Sequence, residues 1–286
     1  MKFTKLQGTG NDFVLVETSD EGRDWSKLAV AMCDRHFGIG SDGLLLLLPS
    51  NNADFRMRMF DPDGSEAEAC GNGIRCLARY VYDKGMINAD ADRISVETIV
   101  GVRQLKLNKK DGQLIGIRAG MGEPAFKAEE IPVKIEQGRE KIVYIKNMMS
   151  YPVHINGIDL LLNLVSMGNP HAVYFQDSPV AGFPLAQVGP RVENLAMFPR
   201  RTNFEVARVI NRAEMEVRTW ERGVGETLAC GSGACAVAVA AQLCGYVDNK
   251  VNIKLLGGTL QLEWDGAGEV LMTGPAETVF HGEWPD

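Results

Sequence analysis

Cys70-Gly71-Asn72-Gly73 and Cys230-Gly231-Ser232-Gly233 are two copies of one pattern. Each runs on through good helix formers and closes on glycine, Gly85 in the first copy and Gly245 in the second, at the same separation from its cysteine (85 − 70 = 15; 245 − 230 = 15). A glycine-rich turn feeding a helix N-terminus, with glycine at the stop, fits both. A thiol placed there meets the positive end of the helix dipole and unpaired N–H groups, and its pKa can fall from about 8.5 to roughly 3.5–7.5. It is then a base near neutral pH. The same N–H groups can hold a carboxylate, which glycine allows close to the backbone. Two such termini holding one carboxylate would set a thiol on each side of its α-carbon. One thiolate removes the α-proton, the other thiol delivers a proton to the opposite face, and the carbon inverts. The charge developing on the carboxylate meets donors already in place.

A single cysteine at a helix start is ordinarily a small buried residue; it is the repetition that points to chemistry. Cys76 and Cys235, inside the two helices, and the isolated Cys33 and Cys244 read as core. No Cys-x-x-Cys or histidine pair has ligand spacing, so no metal is expected. No lysine stands in a Schiff-base context. No cofactor is expected.

The remaining elements read as carriers for these helices. Phe3–Leu6 and Phe13–Glu17 are predicted strands around the turn Gly8–Asp12, followed by a helix over Ser26–Arg35 with Ser26 as cap. Leu44–Leu48 reads as a buried strand and Phe55–Phe60 as a half-exposed one, with a meander at Ile94–Thr98, Gly101–Leu107 and Leu114–Arg118. From Met121 the series restarts, with strands at Lys141–Lys146, Tyr151–Ile155, Leu160–Val165 and Ala172–Phe175, then Asn203–Ile210 and Ala213–Trp220 before the second helix. Pro184–Pro190 reads as a turn or short helix. Lys250–Leu255 and Thr259–Trp264 follow, and the tail from Gly274 could return to the first half. Strands around one prominent helix, twice over, imply an α+β protein rather than a regular βαβ one.

The 286 residues suffice for two cores, and 45% apolar with 23% charged residues is ordinary for a globular protein. A net charge of −7 argues against a nucleic-acid partner. No apolar run is long enough to span a membrane, and the N-terminus lacks a signal-peptide core. Six cysteines in a chain of this kind read as reduced thiols in the cytoplasm, not as a disulfide framework.

These motifs resemble the diaminopimelate epimerase family along nearly the whole chain. The resemblance rests on Gly8-Thr9-Gly10-Asn11-Asp12-Phe13, Asp63-Gly64-Ser65-Glu66 and Ala69–Gly73, then Ser166-Met167-Gly168-Asn169-Pro170-His171, Glu221–Thr227 and Ala229–Ala234. It implies an isomerase that needs no cofactor and interconverts LL- and meso-diaminopimelate in lysine and cell-wall precursor biosynthesis. It implies two pseudo-symmetric α/β lobes, each a mixed sheet wrapped around a central helix, with the active site between them. With the boundaries read above, residues 1–120 and 275–286 form the lobe carrying Cys70, and residues 121–274 the lobe carrying Cys230. The resemblance makes Cys70 and Cys230 the acid/base pair. It gives substrate contacts to Asn11, Gly71, Asn72, Asn169, Asn203, Glu221, Arg222, Gly231 and Ser232, and implies a homodimer. Arg222 suits a distal carboxylate, and His171 becomes an active-site neighbour that tunes a thiol or holds Glu221. His36, His154 and His281 read as structural. Two positions depart from the common pattern: Gly43, where glutamine is frequent, and Asp61, where asparagine is frequent. A carboxylate at Asp61 would attract a substrate ammonium and repel a carboxylate, which bears on which amino acid is taken.

Two other readings stand beside this one. A related two-cysteine racemase or epimerase could act on another amino acid, although Arg222 and the asparagines favour a polar distal end. Alternatively, Cys70 and Cys230 could form a redox switch or a thiol-based binding site.

Overall fold

The run Gly43–Leu48 is buried along its whole length, as a strand covered on both faces must be. Leu45 and Leu47 pack into a core with Ile74, Leu77, Ala78 and Val81 of one helix. Leu44, Leu46 and Leu48 pack on the other face with Trp25, Ala29 and Met32 of a second. Period-two alternation within an all-apolar run thus supplies two cores from a single strand.

The computed structural model describes residues 1–67, 71–135 and 142–285. The chain divides into two units, Met1–Gly120 with Thr273–Asp286, and Met121–Met272. In the first unit the strands are β1 (Lys2–Gly8), β2 (Asn11–Glu17), β3 (Gly43–Leu48), β4 (Phe55–Phe60), β5 (Arg93–Thr98), β6 (Gly101–Lys110) and β7 (Gln113–Gly120). Helix α1 (Trp25–Cys33) and helix α2 (Gly71–Asp83) cover the two faces. A strand from the C-terminal tail, β18 (Glu277–Glu283), pairs antiparallel with β1. From β1 the order is antiparallel to β2, parallel to β3, antiparallel to β4, parallel to β5, then antiparallel to β6 and β7.

The second unit repeats this grammar. Its strands are β8 (Val143–Ile145), β9 (Met148–Ile155), β10 (Ile158–Ser166), β11 (Pro170–Phe175), β12 (Asn203–Asn211), β13 (Glu214–Glu221), β14 (Gly225–Thr227), β15 (Lys250–Leu255) and β16 (Gly258–Glu263). From β10 the order is antiparallel to β11, parallel to β12, antiparallel to β13, parallel to β15 and antiparallel to β16. Helix α3 (Leu185–Glu193) packs on one face and helix α4 (Gly231–Leu243) on the other. The short strand β17 (Leu271–Gly274) carries the chain out of the second unit.

The registers make the repetition residue-specific. Phe13 pairs with Gly43 and Leu44 with Phe60; His171 pairs with Asn203 and Phe204 with Trp220. Gly43 therefore answers to Asn203, Phe13 to His171, and Asp61 to Glu221.

Helix α4 is buried over Gly233–Ala241, apolar on every side because the sheet wraps it. Buried valines such as Val237 and Val239 each contribute about 1.5–3 kcal/mol. Both central helices end as their sequences require. Gly85 and Gly245 take left-handed φ values of 64° and 77°. The next N–H then reaches back a turn and a half, Met86 to Val81 and Tyr246 to Ala241.

Local differences from the sequence expectation have local causes. Helix α1 is capped by Asp24, whose carboxylate accepts from the N–H of Lys27, whereas the Ser26 hydroxyl donates to Gly64. Residues 185–193 form a full helix, with Pro190 near its end. The 221–227 segment, expected as loop, contains β14, and β17 also forms a strand. Part of the strand expected over Lys141–Lys146 lies outside the described residues; Val143–Ile145 is strand. Among the described residues no helix is long and apolar enough to cross a membrane.

Candidate active site

Helix α4 begins one residue after Cys230, whose sulfur accepts the N–H of Gly233 at 3.3 Å and lies 3.5 Å from the Ser232 hydroxyl. The N–H groups of Gly231 and Ser232, the first two helical residues, have no intrahelical acceptor and offer an anion site. Asn169, in the turn before β11, donates to Ser232 at 3.3 Å. Its carbonyl oxygen lies 3.0 Å from Nε2 of His171. His171, expected in a loop, sits inside β11 and is fully buried.

Glu221 ends β13, and its carboxylate accepts from Thr227 of β14 at 2.5 Å. Asn203 fixes the turn that follows: its amide donates to Pro170 and its oxygen accepts the N–H of Arg222. The Arg222 guanidinium donates to the carbonyl of Arg200. The second unit therefore brings together Asn169, His171, Asn203, Glu221, Arg222, Cys230, Gly231 and Ser232.

The sequence suggested a lowered thiol pKa; the surroundings of Cys230 act the other way. Burial pushes the thiol well above its usual range, and the carboxylates of Glu221 and Glu205 push in the same direction, against the Ser232 hydroxyl and the Gly233 N–H. Burial also raises Glu221 above the usual carboxylate range, with Glu205 adding to it and Thr227 and His171 opposing. The helix terminus is outweighed because sulfur and carboxylates share one dry space.

In the first unit, Cys70 lies outside the described residues. Gly71 starts α2, and Asn72 donates to Asn11 at 3.1 Å. Asn11 donates to Asp42 at 2.6 Å. Arg75, fully buried, donates to Asn72, Thr9, Gly71 and Pro275, so one guanidinium ties helix start, turn and C-terminal tail. Asp61 is half-buried, and burial followed by Asp63 raises its carboxyl. At Gly43 an added Cβ would meet Met59 Cε and the Phe60 oxygen at 3.1 Å, so Met59 occupies the space a longer side chain would need.

Beside Asn11, Asp12 lies in a cluster with Lys5, Arg35 and Asp42. Burial alone would raise Asp12, but hydrogen bonds from Arg35 and Lys5 bring it down to about 2. A carboxylate lowered in the fold stabilises fully above its unfolded value, near 3.8, and loses that contribution as pH falls toward 2. Urea midpoints measured across that window should fall steeply, and Asp12→Asn should flatten the fall.

A family model described as Diaminopimelate epimerase matches residues 3–127 and 163–279. The chain belongs to this family. A relative named diaminopimelate epimerase from Acetivibrio thermocellus is 48% identical over 285 residues, covering 99% of this chain and 98% of the relative. One of the same name from Methanococcus maripaludis is 47% identical over 290 residues, with 99% of each covered. Among solved structures, a Bacillus anthracis phenazine biosynthesis protein of the PhzF family superposes with a TM-score of 0.72 at 17% identity, covering 100% of this chain and 99% of that one. A probable proline racemase from Agrobacterium radiobacter K84 superposes at 0.68 and 13%, covering 99% and 92%. These two share the fold: a mixed α/β architecture of large mixed sheets with few helices.

Three residues of this family member escaped the sequence reading. Arg75, buried at the start of α2, ties Asn72 to Thr9 and Pro275. Glu193 accepts from Trp220, Gly223 and Arg201 and so clamps the turn that carries Arg222. Glu205 is fully buried against His171. The available signal was an acid at an inward position of an apolar strand, Phe204-Glu205-Val206.

Proposed function

We propose that this protein interconverts LL- and meso-diaminopimelate by proton transfer at the α-carbon, with Cys70 and Cys230 as the two acid/base groups. Membership of the family supports the substrate. The observation that carries the chemistry is Cys230 at the start of α4, buried between a helix terminus able to hold a carboxylate and the acid Glu221. The surroundings of Cys230 favour its protonated form, which suits the donor in one direction of the reaction; in the reverse direction the two thiols exchange roles. The α-carboxylate sits on the N–H groups of Gly231 and Ser232, where charge of the carbanion-like intermediate is stabilised. Asn11, Gly71, Asn72, Asn169 and Asn203 contribute polar contacts, Glu221 takes an ammonium group, and Arg222 takes the distal carboxylate. Asp61 adds acceptor character, while Gly43 leaves its contact to other groups. The reaction needs no cofactor. The enzyme works as a cytoplasmic homodimer in lysine biosynthesis.

The reduced protein incubated with LL-diaminopimelate in deuterated water should give meso product carrying deuterium at the α-carbon. Cys70→Ser and Cys230→Ser should each lose at least about 100-fold in kcat/KM, the lower end of what a positioned proton-transfer group contributes. Exchange into a different amino acid instead would keep the two-thiol chemistry and move the substrate assignment. Absence of exchange with any amino acid would defeat both.

A further inference from the structure

Glu205 has no assigned part in this chemistry, yet it anchors a continuous polar chain to Cys230. Its Oε1 lies 2.8 Å from Nδ1 of His171, and both side chains are fully buried. His171 Nε2 lies 3.0 Å from Asn169, Asn169 donates to Ser232 at 3.3 Å, and Ser232 lies 3.5 Å from the Cys230 sulfur. The other carboxylate oxygen, Oε2, has no hydrogen-bond partner among the described residues, nor does the hydroxyl of Thr219, the residue paired with Glu205 across β12 and β13. A buried carboxylate with one satisfied oxygen is an arrangement that calls for an explanation beyond packing. Among the described residues of the first unit, the positions answering to His171 and Glu205 are Phe13 and Leu45, both in an apolar core.

We infer that Glu205 is a positioning residue: it holds the Nδ1–H of His171, so that the ring fixes Asn169 and Asn169 fixes the Ser232 hydroxyl beside Cys230. The inference rests on the epimerase reading only for its kinetic consequence. An ionised carboxylate can only accept, so the nitrogen facing it carries hydrogen. The titratable groups acting together here are Glu205 from β12, Glu221 from β13, Cys230 before α4 and His171 from β11. The asymmetry sets an orienting polar chain behind Cys230 and leaves the matching positions of the other unit apolar.

Glu205→Gln is isosteric and tests this directly. With the charge gone, the NH2 is expected to donate to Nδ1, and the ring proton moves to Nε2, where the Asn169 oxygen accepts it. In 15N-histidine-labelled full-length protein without substrate, from about pH 6 to 9, His171 should show a protonated Nδ1 in the wild type and a bare Nδ1 in the variant. With thermal stability little changed, kcat/KM should fall by about 10–100-fold, as when the group behind a functional histidine is changed. A bare Nδ1 in the wild type overturns the inference. So does a variant whose ring is unchanged, or one whose ring switches while its rate stays within about twofold of the parent. The ring spectrum is read without substrate and is unaffected if the enzyme acts on a different amino acid.

Discussion

Arg75→Met is expected to lower stability by about 3–5 kcal/mol, a loss that substitution of an exposed helical arginine would not produce. The guanidinium is fully buried and donates to Gly71, Thr9, Asn72 and Pro275. Methionine fills most of the volume but donates nothing, and each buried acceptor left unmet costs about 1–3 kcal/mol before relaxation. Relaxation recovers part of that, since half-buried Gly71 can reach solvent more easily than the buried Thr9 and Asn72 can. Thermal unfolding should move down by roughly 10 °C. Asn72 loses its orienting partner at the same time, so kcat/KM should fall further than the remaining folded fraction accounts for. A variant within about 1 kcal/mol of the parent would mean that the four acceptors find other donors.

That arginine also marks where the sequence stops being informative. The repeated Cys-Gly-x-Gly openings and their closing glycines were legible because capping and left-handed stops are local physics: Gly85 and Gly245 do what their neighbours require. Leu44–Leu48 was legible as a buried strand because an uninterrupted apolar run has few other homes. Helix α3 was harder, because Pro184, Gly189 and Pro190 weaken the local helical signal. Its stability comes from Leu185, Val188 and Val192 seated against Phe204 and Val206, contacts that the local sequence does not display. The same divide runs through the site. Most of the residues that the second unit gathers around Cys230 lie in motifs visible in the sequence, whereas Glu193 and Glu205 pair with Trp220 and His171, 27 and 34 positions away. The reversed environment of Cys230 has the same origin. A helix N-terminus can be read from spacing, but the dry volume that Cys230 shares with two carboxylates exists only once β12 and β13 have paired.

Gly233→Ala should separate stability from activity at that helix start. Alanine is favoured over glycine in a helix by about 1 kcal/mol, and a substitution that touched nothing would stabilise α4. Here the new Cβ would stand 2.7 Å from Glu205 Oε1 and 3.3 Å from the Cys230 sulfur. The first distance is too short to persist. Glu205 is fully buried and held by His171, so it cannot swing into solvent as a surface glutamate would. Either the carboxylate retreats and pulls on His171, or the first turn of α4 shifts and carries Cys230 and the Ser232 N–H with it. Both move the groups proposed to react by several tenths of an ångström, and displacements approaching 1 Å cost about 100-fold in rate. The expected result is near-parental thermal stability, because the helix gain offsets much of the strain, with kcat/KM down by about that factor. At Gly231 the nearest atom to a new Cβ is Met272 Cε at 3.4 Å, an ordinary contact, so Gly231→Ala should fold like the parent. If Gly233→Ala kept full activity, Glu205 and Cys230 would have to tolerate displacement, and the close packing of acid, thiol and helix start would have no part in the reaction.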